Sequence, residues 1–341
     1  MNATPLILNT IDEYLGPAES RFFSRGYQRA SYDVHDVIVD RAGRTVRAAA
    51  DLEYPTDWSR KQADLDLRPH LSTIDALVLG VQLAELELVQ THDLSESQRR
   101  MMHLRKVTLR AGSEPQEELK NIPLSVKHLR QETVGKGSDS IVVDSHQARV
   151  GGLQVRTEIE RKPGDPVQRS GTAAFDSLPL ALGPEQERFY GSGFQRRRHV
   201  IHDVRADRGT WSAEAVVRFN AEPAHSMEGV DGANHPSVSL LDCFVVNLQL
   251  AQVLMYELDA IRRSESGTLW MMQTVLTREK EPVSLASTDV DLPVKTAITA
   301  KKLLPLRGGT WRTVELSGGL GGVSLRCSFA HELPGQADNS N

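Results

Sequence analysis

The chain has 341 residues, enough for two domains of roughly 150 residues each. Its net charge of −5 provides no broad basic field for nucleic acid. Cys243 and Cys327 sit in apolar stretches without metal-ligand spacing, which predicts reduced core thiols, and the lack of a basic start predicts a cytoplasmic protein rather than a secreted one.

In chain order, β-branched or alternating runs predict strands at 34–39 and 45–54. The long apolar stretch 71–88 predicts a buried helix, because it is apolar on nearly all sides. Strands are predicted again at 105–110, 141–143 and 153–160. Residues 162–184 are rich in proline and glycine, which is linker chemistry. The pattern then recurs, with strands at 200–205 and 210–219, a second apolar helix at 240–258, and strands at 271–278, 295–304, 311–316 and 323–330. That second helix contains Asp242, Asn247, Gln249, Gln252 and Glu257, each costly in hydrocarbon, so no membrane span is expected. The predicted organisation is a first module at 11–165, a linker at 166–186, a second module at 187–333 and a disordered tail at 334–341.

The recurrence extends to individual residues. Phe22-Phe23-Ser24-Arg25-Gly26-Tyr27-Gln28-Arg29 matches Phe189-Tyr190-Gly191-Ser192-Gly193-Phe194-Gln195-Arg196, an offset of 189 − 22 = 167. The same offset carries His35-Asp36-Val37 onto His202-Asp203-Val204, Asp75 onto Asp242, and Gln82-Leu83-Ala84 onto Gln249-Leu250-Ala251. Gly151-Gly152 and Gly321-Gly322 match at 321 − 151 = 170, so about three residues entered a loop of the second copy. Each half is predicted to be an antiparallel sheet wrapped around one long central helix. The fold class is therefore α+β, a tandem (double) hot-dog whose two sheets join at their edges.

Chemistry is expected where the helices begin. The two starts are Pro69-His70-Leu71-Ser72-Thr73-Ile74-Asp75 and His235-Pro236-Ser237-Val238-Ser239-Leu240-Leu241-Asp242. In the structural reading, each serine and acid form a capping box with Asp in place of Glu. In the functional reading, free N–H groups polarise a carbonyl, Asp75 or Asp242 is a base kept ionised by the helix end, and His70 or His235 is its proton partner. The histidines are not equivalent in register, since His70 aligns with Ser237. Two identical active sites are therefore not expected.

Gln82 and Gln249 lie two turns past the acids on the same face and are candidates to line a cleft, with Glu85 and Glu257 weaker candidates of that kind. Arg25, Arg29 and Arg196 are candidate phosphate contacts. His35 and His202 recur within strands and have structural alternatives. No Walker loop, dinucleotide fingerprint or paired-histidine zinc helix is present, so no cofactor and no metal are expected.

Glu53-Tyr54-Pro55-x-Asp57-Trp58-Ser59, Pro69-His70-Leu71-Ser72-Thr73-x-Asp75-Ala76, Arg110-Ala111-Gly112-x-x-Pro115-Gln116-Glu117 and Gln249-Leu250-Ala251-Gln252-Val253-Leu254-x-Tyr256-Glu257-Leu258-Asp259 resemble the avirulence D (AvrD) family of plant-associated pseudomonads. That resemblance covers nearly the whole chain. It implies a role in making syringolides, acyl-sugar lactone signals. The implied reaction joins a β-ketoacyl thioester, carried on an acyl carrier protein or CoA, to a xylulose-like ketose or its phosphate, as in the related A-factor double hot-dog family. Ile74-Asp75-Ala76-Leu77 is also similar to the helix start of hydroxyacyl-thioester dehydratases. A dehydratase or thioesterase, or a non-catalytic acyl- or signal-binding protein, are the alternative readings. The expected state is a monomer or homodimer.

Overall fold

The computed structural model describes residues 4–59, 68–92, 94–112, 114–135, 140–163, 169–220, 227–233, 235–263, 269–286, 289–306 and 309–333. The predicted tail at 334–341 and the first residues of the predicted linker lie outside them.

The first repeat contains β1 (Leu6–Thr10), α1 (Asp12–Leu15), β2 (Ser31–Asp40), β3 (Thr45–Glu53), α2 (Thr73–His92), α3 (Glu96–Arg100), β4 (His103–Arg110), β5 (Ile122–Val134), β6 (Ile141–Val150) and β7 (Leu153–Arg161). The second contains β8 (Thr172–Ser177), α4 (Leu178–Leu182), β9 (His199–Asp207), β10 (Ser212–Phe219), α5 (Leu240–Asp259), β11 (Trp270–Arg278), β12 (Val290–Leu306), β13 (Gly309–Leu320) and β14 (Val323–Glu332). All strand pairings are antiparallel, in one sheet ordered β1-β9-β10-β12-β13-β14-β11-β4-β7-β6-β5-β3-β2-β8. The two halves meet where β4 pairs with β11. Each half curls around its own helix, α2 or α5.

Those helices are the core. Every residue from Ile74 to Leu88 on α2 is buried, as is every residue from Leu240 to Tyr256 on α5. Each fully buried leucine there is worth on the order of 1.5–3 kcal/mol. α5 is long and apolar enough to cross a membrane by length and composition, but 94% of that stretch is buried inside the fold. Close packing is local and specific. A Cβ on Gly80 would lie 2.9 Å from a Val155 methyl group, so α2 approaches β7 only because glycine stands there. Cys243 and Cys327 are free and buried, and burial pushes both thiols up to about 12.

The stretch expected as a linker corrects the predicted boundaries. Its described part contains β8 and α4, followed by Gly183-Pro184, which match β1, α1 and Gly16-Pro17 at the offset of 167. Both glycines have positive φ, 81° and 90°, where an L side chain is strained. This stretch therefore opens the second repeat. The two opening strands are exchanged: β1 pairs with β9 on the second sheet, and β8 pairs with β2 on the first. The repeated His-Asp pairs mark matching bulges. Asp36 and Asp203 have φ of 53° and 52°, and each carboxylate contacts the preceding histidine, at 2.9 Å for His35 and 3.0 Å for His202.

Candidate active site

Both helix starts form the capping box. At α2 the Ser72 N–H donates to Asp75 Oδ2 at 2.7 Å, and the Asp75 N–H donates to Ser72 Oγ at 3.2 Å. At α5 the corresponding distances for Ser239 and Asp242 are 2.8 and 3.1 Å. The acids differ in what else they hold. Asp75 is fully buried, accepts from the Tyr32 hydroxyl on Oδ1 at 2.7 Å, and accepts from the Tyr54 hydroxyl on Oδ2. The Tyr54 hydroxyl also lies 3.4 Å from the His70 carbonyl oxygen. Burial raises the Asp75 pKa above the usual carboxylate value, against the opposing pull of these hydrogen bonds.

In the second copy Tyr32 is replaced by His199, since 32 + 167 = 199. His199 is buried near the Asp242 charge, and burial pushes it down to about 4. Asp242 accepts from Ser239 Oγ at 2.8 Å and lies 3.6 Å from Arg197 Nε.

A cleft of ≈ 590 Å³ opens at the start of α2, between the modules. His70, Ser72 and Thr73 form its helix side. Phe22, Phe23, Trp58, Leu153, Trp270, Met271 and Phe329 supply apolar walls, and Arg21, Gln252 and Arg263 supply a polar end. Phe22, Tyr54, Trp58 and His70 form one aromatic cluster, with Trp58 edge-on to His70 at 5.9 Å between centroids. Thr73 and Ile74 begin the helix, so their N–H groups have no carbonyl one turn back within it. Such donors can stabilise a developing oxyanion beside the His70 imidazole.

The equivalent space at α5 is filled by the chain itself. Met227, Val230 and Asp231 are buried. The Asp231 N–H donates to Met102 O at 2.7 Å, and the Ala233 N–H donates to Arg100 O at 2.9 Å. The Asp231 carboxylate accepts from the Leu104 N–H and the Tyr190 hydroxyl, both at 3.1 Å, and lies 3.7 Å from Arg278 and 3.9 Å from His103. Gly229 has φ 73°, and a Cβ on it would meet Glu85 Oε1 at 2.2 Å. The groups that hold this plug are replaced in the α2 cleft. At the offset of 167, Tyr190, His103, Arg278 and Glu85 correspond to Phe23, Trp270, Ala111 and Gln252. Where the second copy has two charged residues, a histidine and a phenol, the first has two aromatic rings, a methyl and a neutral amide.

The structure places the other predicted residues as follows. Gln249 accepts from Arg21 at 2.9 Å, and Gln82 accepts from Arg188 at 3.2 Å. Each is a reciprocal pin between modules rather than a cleft-lining group, because a buried arginine consumes its amide oxygen. Glu85 is buried under the plug and accepts from the Val230 N–H at 3.5 Å. Glu257 accepts from Tyr14 at 2.6 Å and pairs with Arg208. Arg25 is spent on Gln28 and the Arg197 carbonyl at 3.2 and 3.3 Å, and Arg29 on Asp57 at 2.7 Å. Neither borders the cleft. Arg196 is exposed and does not border it either. His235 is half-buried, 5.9 Å from the Phe189 ring, at the end of the plugging segment. Of the predicted set, His70 and Asp75 both lie at the α2 start, but they meet only through the Tyr54 hydroxyl, which reaches Asp75 and the His70 carbonyl oxygen, while His70 Nδ1 lies 3.3 Å from the Arg68 carbonyl oxygen. Tyr32, Tyr54, Trp58, Arg21 and Gln252 were not singled out as site residues. The legible signal was a strand tyrosine facing inward, whose hydroxyl requires a partner.

A pair of helices, each wrapped by half of one continuous antiparallel sheet, with a cleft at one helix start, defines a double hot-dog protein. The family model described as Pseudomonas avirulence D protein (AvrD) matches residues 6–334, and the chain belongs to that family. No curated protein matches it. Among solved structures it is similar to a tesB protein of Mycobacterium avium subsp. paratuberculosis, at 8% identity over 87% of this chain and 96% of that one, with a TM-score of 0.39. It is also similar to a Mycobacterium tuberculosis protein with a double hotdog fold, at 12% identity over 78% of this chain and 82% of that one, TM-score 0.40. A third is the 12:0-ACP thioesterase from Umbellularia californica, at 10% identity over 85% and 98%, TM-score 0.37.

Proposed function

We propose that the chain is a cytoplasmic enzyme that condenses a β-ketoacyl thioester with a xylulose-like ketose, or its phosphate, giving an acyl-sugar lactone of the syringolide type. Family membership supports the reaction class. The observation that carries the reading is the largely apolar wall that the described residues give the cleft at the α2 start. An acyl chain needs such a slot. The thioester carbonyl oxygen would sit by the Thr73 and Ile74 N–H groups; the sugar hydroxyl would give its proton to His70 as it attacks the carbonyl carbon, and His70 would return that proton to the departing thiolate, leaving an ester whose activated α-carbon then attacks the ketose carbonyl, with loss of water, to close the lactone. Asp75, enclosed by Tyr32, Tyr54 and Ser72, holds the helix start and Tyr54 in place and is a positioning residue.

Purified protein given a β-ketoacyl thioester should release thiol only when xylulose or its phosphate is present. Sugar-independent release would support a thioesterase, and loss of water without thiol release a dehydratase. Binding of the thioester without any turnover would leave a non-catalytic binding protein.

A further inference from the structure

The outer face of the first module has a second concavity, a groove of ≈ 430 Å³ across β4, β7, β6 and β5. Lys106, Arg110, Arg130 and Arg156 line it, with Glu158 as its one acid. Arg130 is partly offset by Glu132 at 2.8 Å. Among the described residues, Lys106, Arg110 and Arg156 have no carboxylate within ion-pair distance. A chain with net charge −5 thus concentrates cations on one sheet face.

The second module supplies an internal control. Lys106 pairs with Glu158 across β4 and β7, as Gln273 pairs with Ser328 across β11 and β14. Arg110 corresponds to Thr277, Arg156 to Arg326, and Arg130 to Ala300, by the same registers. Four cations on one module face one at the matching positions of the other. The cationic face therefore belongs to the module whose helix start borders the cleft.

The groove and the cleft are lined by neighbouring residues at the same ends of β4 and β7. β4 ends at Arg110, and the next two residues, Ala111 and Gly112, line the cleft. β7 begins at Leu153 in the cleft wall, and Gln154 beside it lines the groove. From Arg110 to Lys106 the cations extend roughly 13 Å along the strand, and from β4 to β5 roughly 14 Å across it. No aromatic side chain lines the groove to stack a nucleotide base.

We infer that this groove docks the acidic surface of a carrier protein, which would present its pantetheine-borne acyl thioester to the adjoining cleft. The inference rests on the proposed thioester chemistry for its purpose, and on the charge distribution alone for its contact. Docking of this kind is screened by salt.

The test uses the full-length chain and a purified β-ketoacyl-loaded acyl carrier protein, with binding followed by calorimetry. Wild type should bind with an affinity that falls steeply as salt rises. The Lys106→Gln/Arg156→Gln variant should bind at least tenfold more weakly at low salt, with an unchanged thermal midpoint. It should turn over the same acyl group on N-acetylcysteamine at the wild-type rate. Equal carrier binding by both proteins overturns the proposal. So does failure of wild type to bind the carrier, or a loss confined to CoA binding, which would identify a nucleotide site. If neither protein turns over the small thioester while carrier binding still separates them, the condensation reading fails and the docking surface stands.

Discussion

The start of α2 and the start of α5 share a serine, an acid and a capping box, yet among the described residues one borders a cleft and the other is covered by residues 227–233, whose first-repeat counterparts, 60–66, lie outside the described residues. The shared groups are therefore the scaffold, and the groups that differ decide access. Of the four polar residues that hold the covering segment at α5, three are apolar at α2 and the fourth is a neutral amide, so the difference lies in what each wall can hold.

The largest expected effect breaks this comparison directly. His70→Ala should lower sugar-dependent thiol release by roughly 10²–10⁴-fold, the range for a general base, without moving the thermal midpoint. His235→Ala should leave turnover within about twofold, because His235 does not border the α2 cleft. Equal losses in the two variants would mean that the second helix start is also catalytic.

The next effect is on stability against pH. His199, the counterpart of Tyr32, titrates near 6.5 when unfolded and at about 4 when folded. Above the higher value both states are neutral. As pH falls through that window the unfolded state gains the proton first, so stability is lost, by about 3 kcal/mol for this group. His199→Tyr should flatten the thermal midpoint between these pH values. His92, also pushed down to about 4, and the buried His146, also lowered by desolvation, act in the same direction in both proteins and contribute to the residual slope. An unchanged pH profile in the variant would show that burial of His199 is not the cause.

The module pins should differ more finely. Gln82→Leu and Gln249→Leu each strip an acceptor from a buried arginine, at about 1–3 kcal/mol. Gln82→Leu should cost the more, since Arg21 keeps Asp12 as a second partner. Chemical denaturation of the two variants would rank them. The smallest effect is the loss of a cap. Asp242→Asn should cost about 1 kcal/mol and leave turnover unchanged. A large loss of turnover there would reassign the catalytic cleft.

Much of the fold was legible because it rests on local periodicity. The two long helices, their capping boxes and most strands follow from apolar spacing. β5 escaped because Pro123 interrupts its start and its register shifts between His128 and Arg130. β8 escaped because it follows a proline- and glycine-rich stretch. Less of the site was legible. Whether a helical glutamine lines a cleft or receives a distant arginine depends on a contact 228 residues away in sequence. The covering segment was equally silent, since nothing local to Val230 and Asp231 marks the contacts of Asp231 with Tyr190 and Leu104.

The exchanged opening strands have a consequence for how such a protein can change. In an assembly of two identical chains, any substitution at one site appears at the other, so neither site can be given up. Here each half completes its partner's sheet edge, and the two are parts of one polypeptide. Neither half can leave, and neither is bound to remain a copy. Covalent union thus frees the two helix starts to diverge, and the different neighbours of Asp75 and Asp242 occupy the place that this freedom allows.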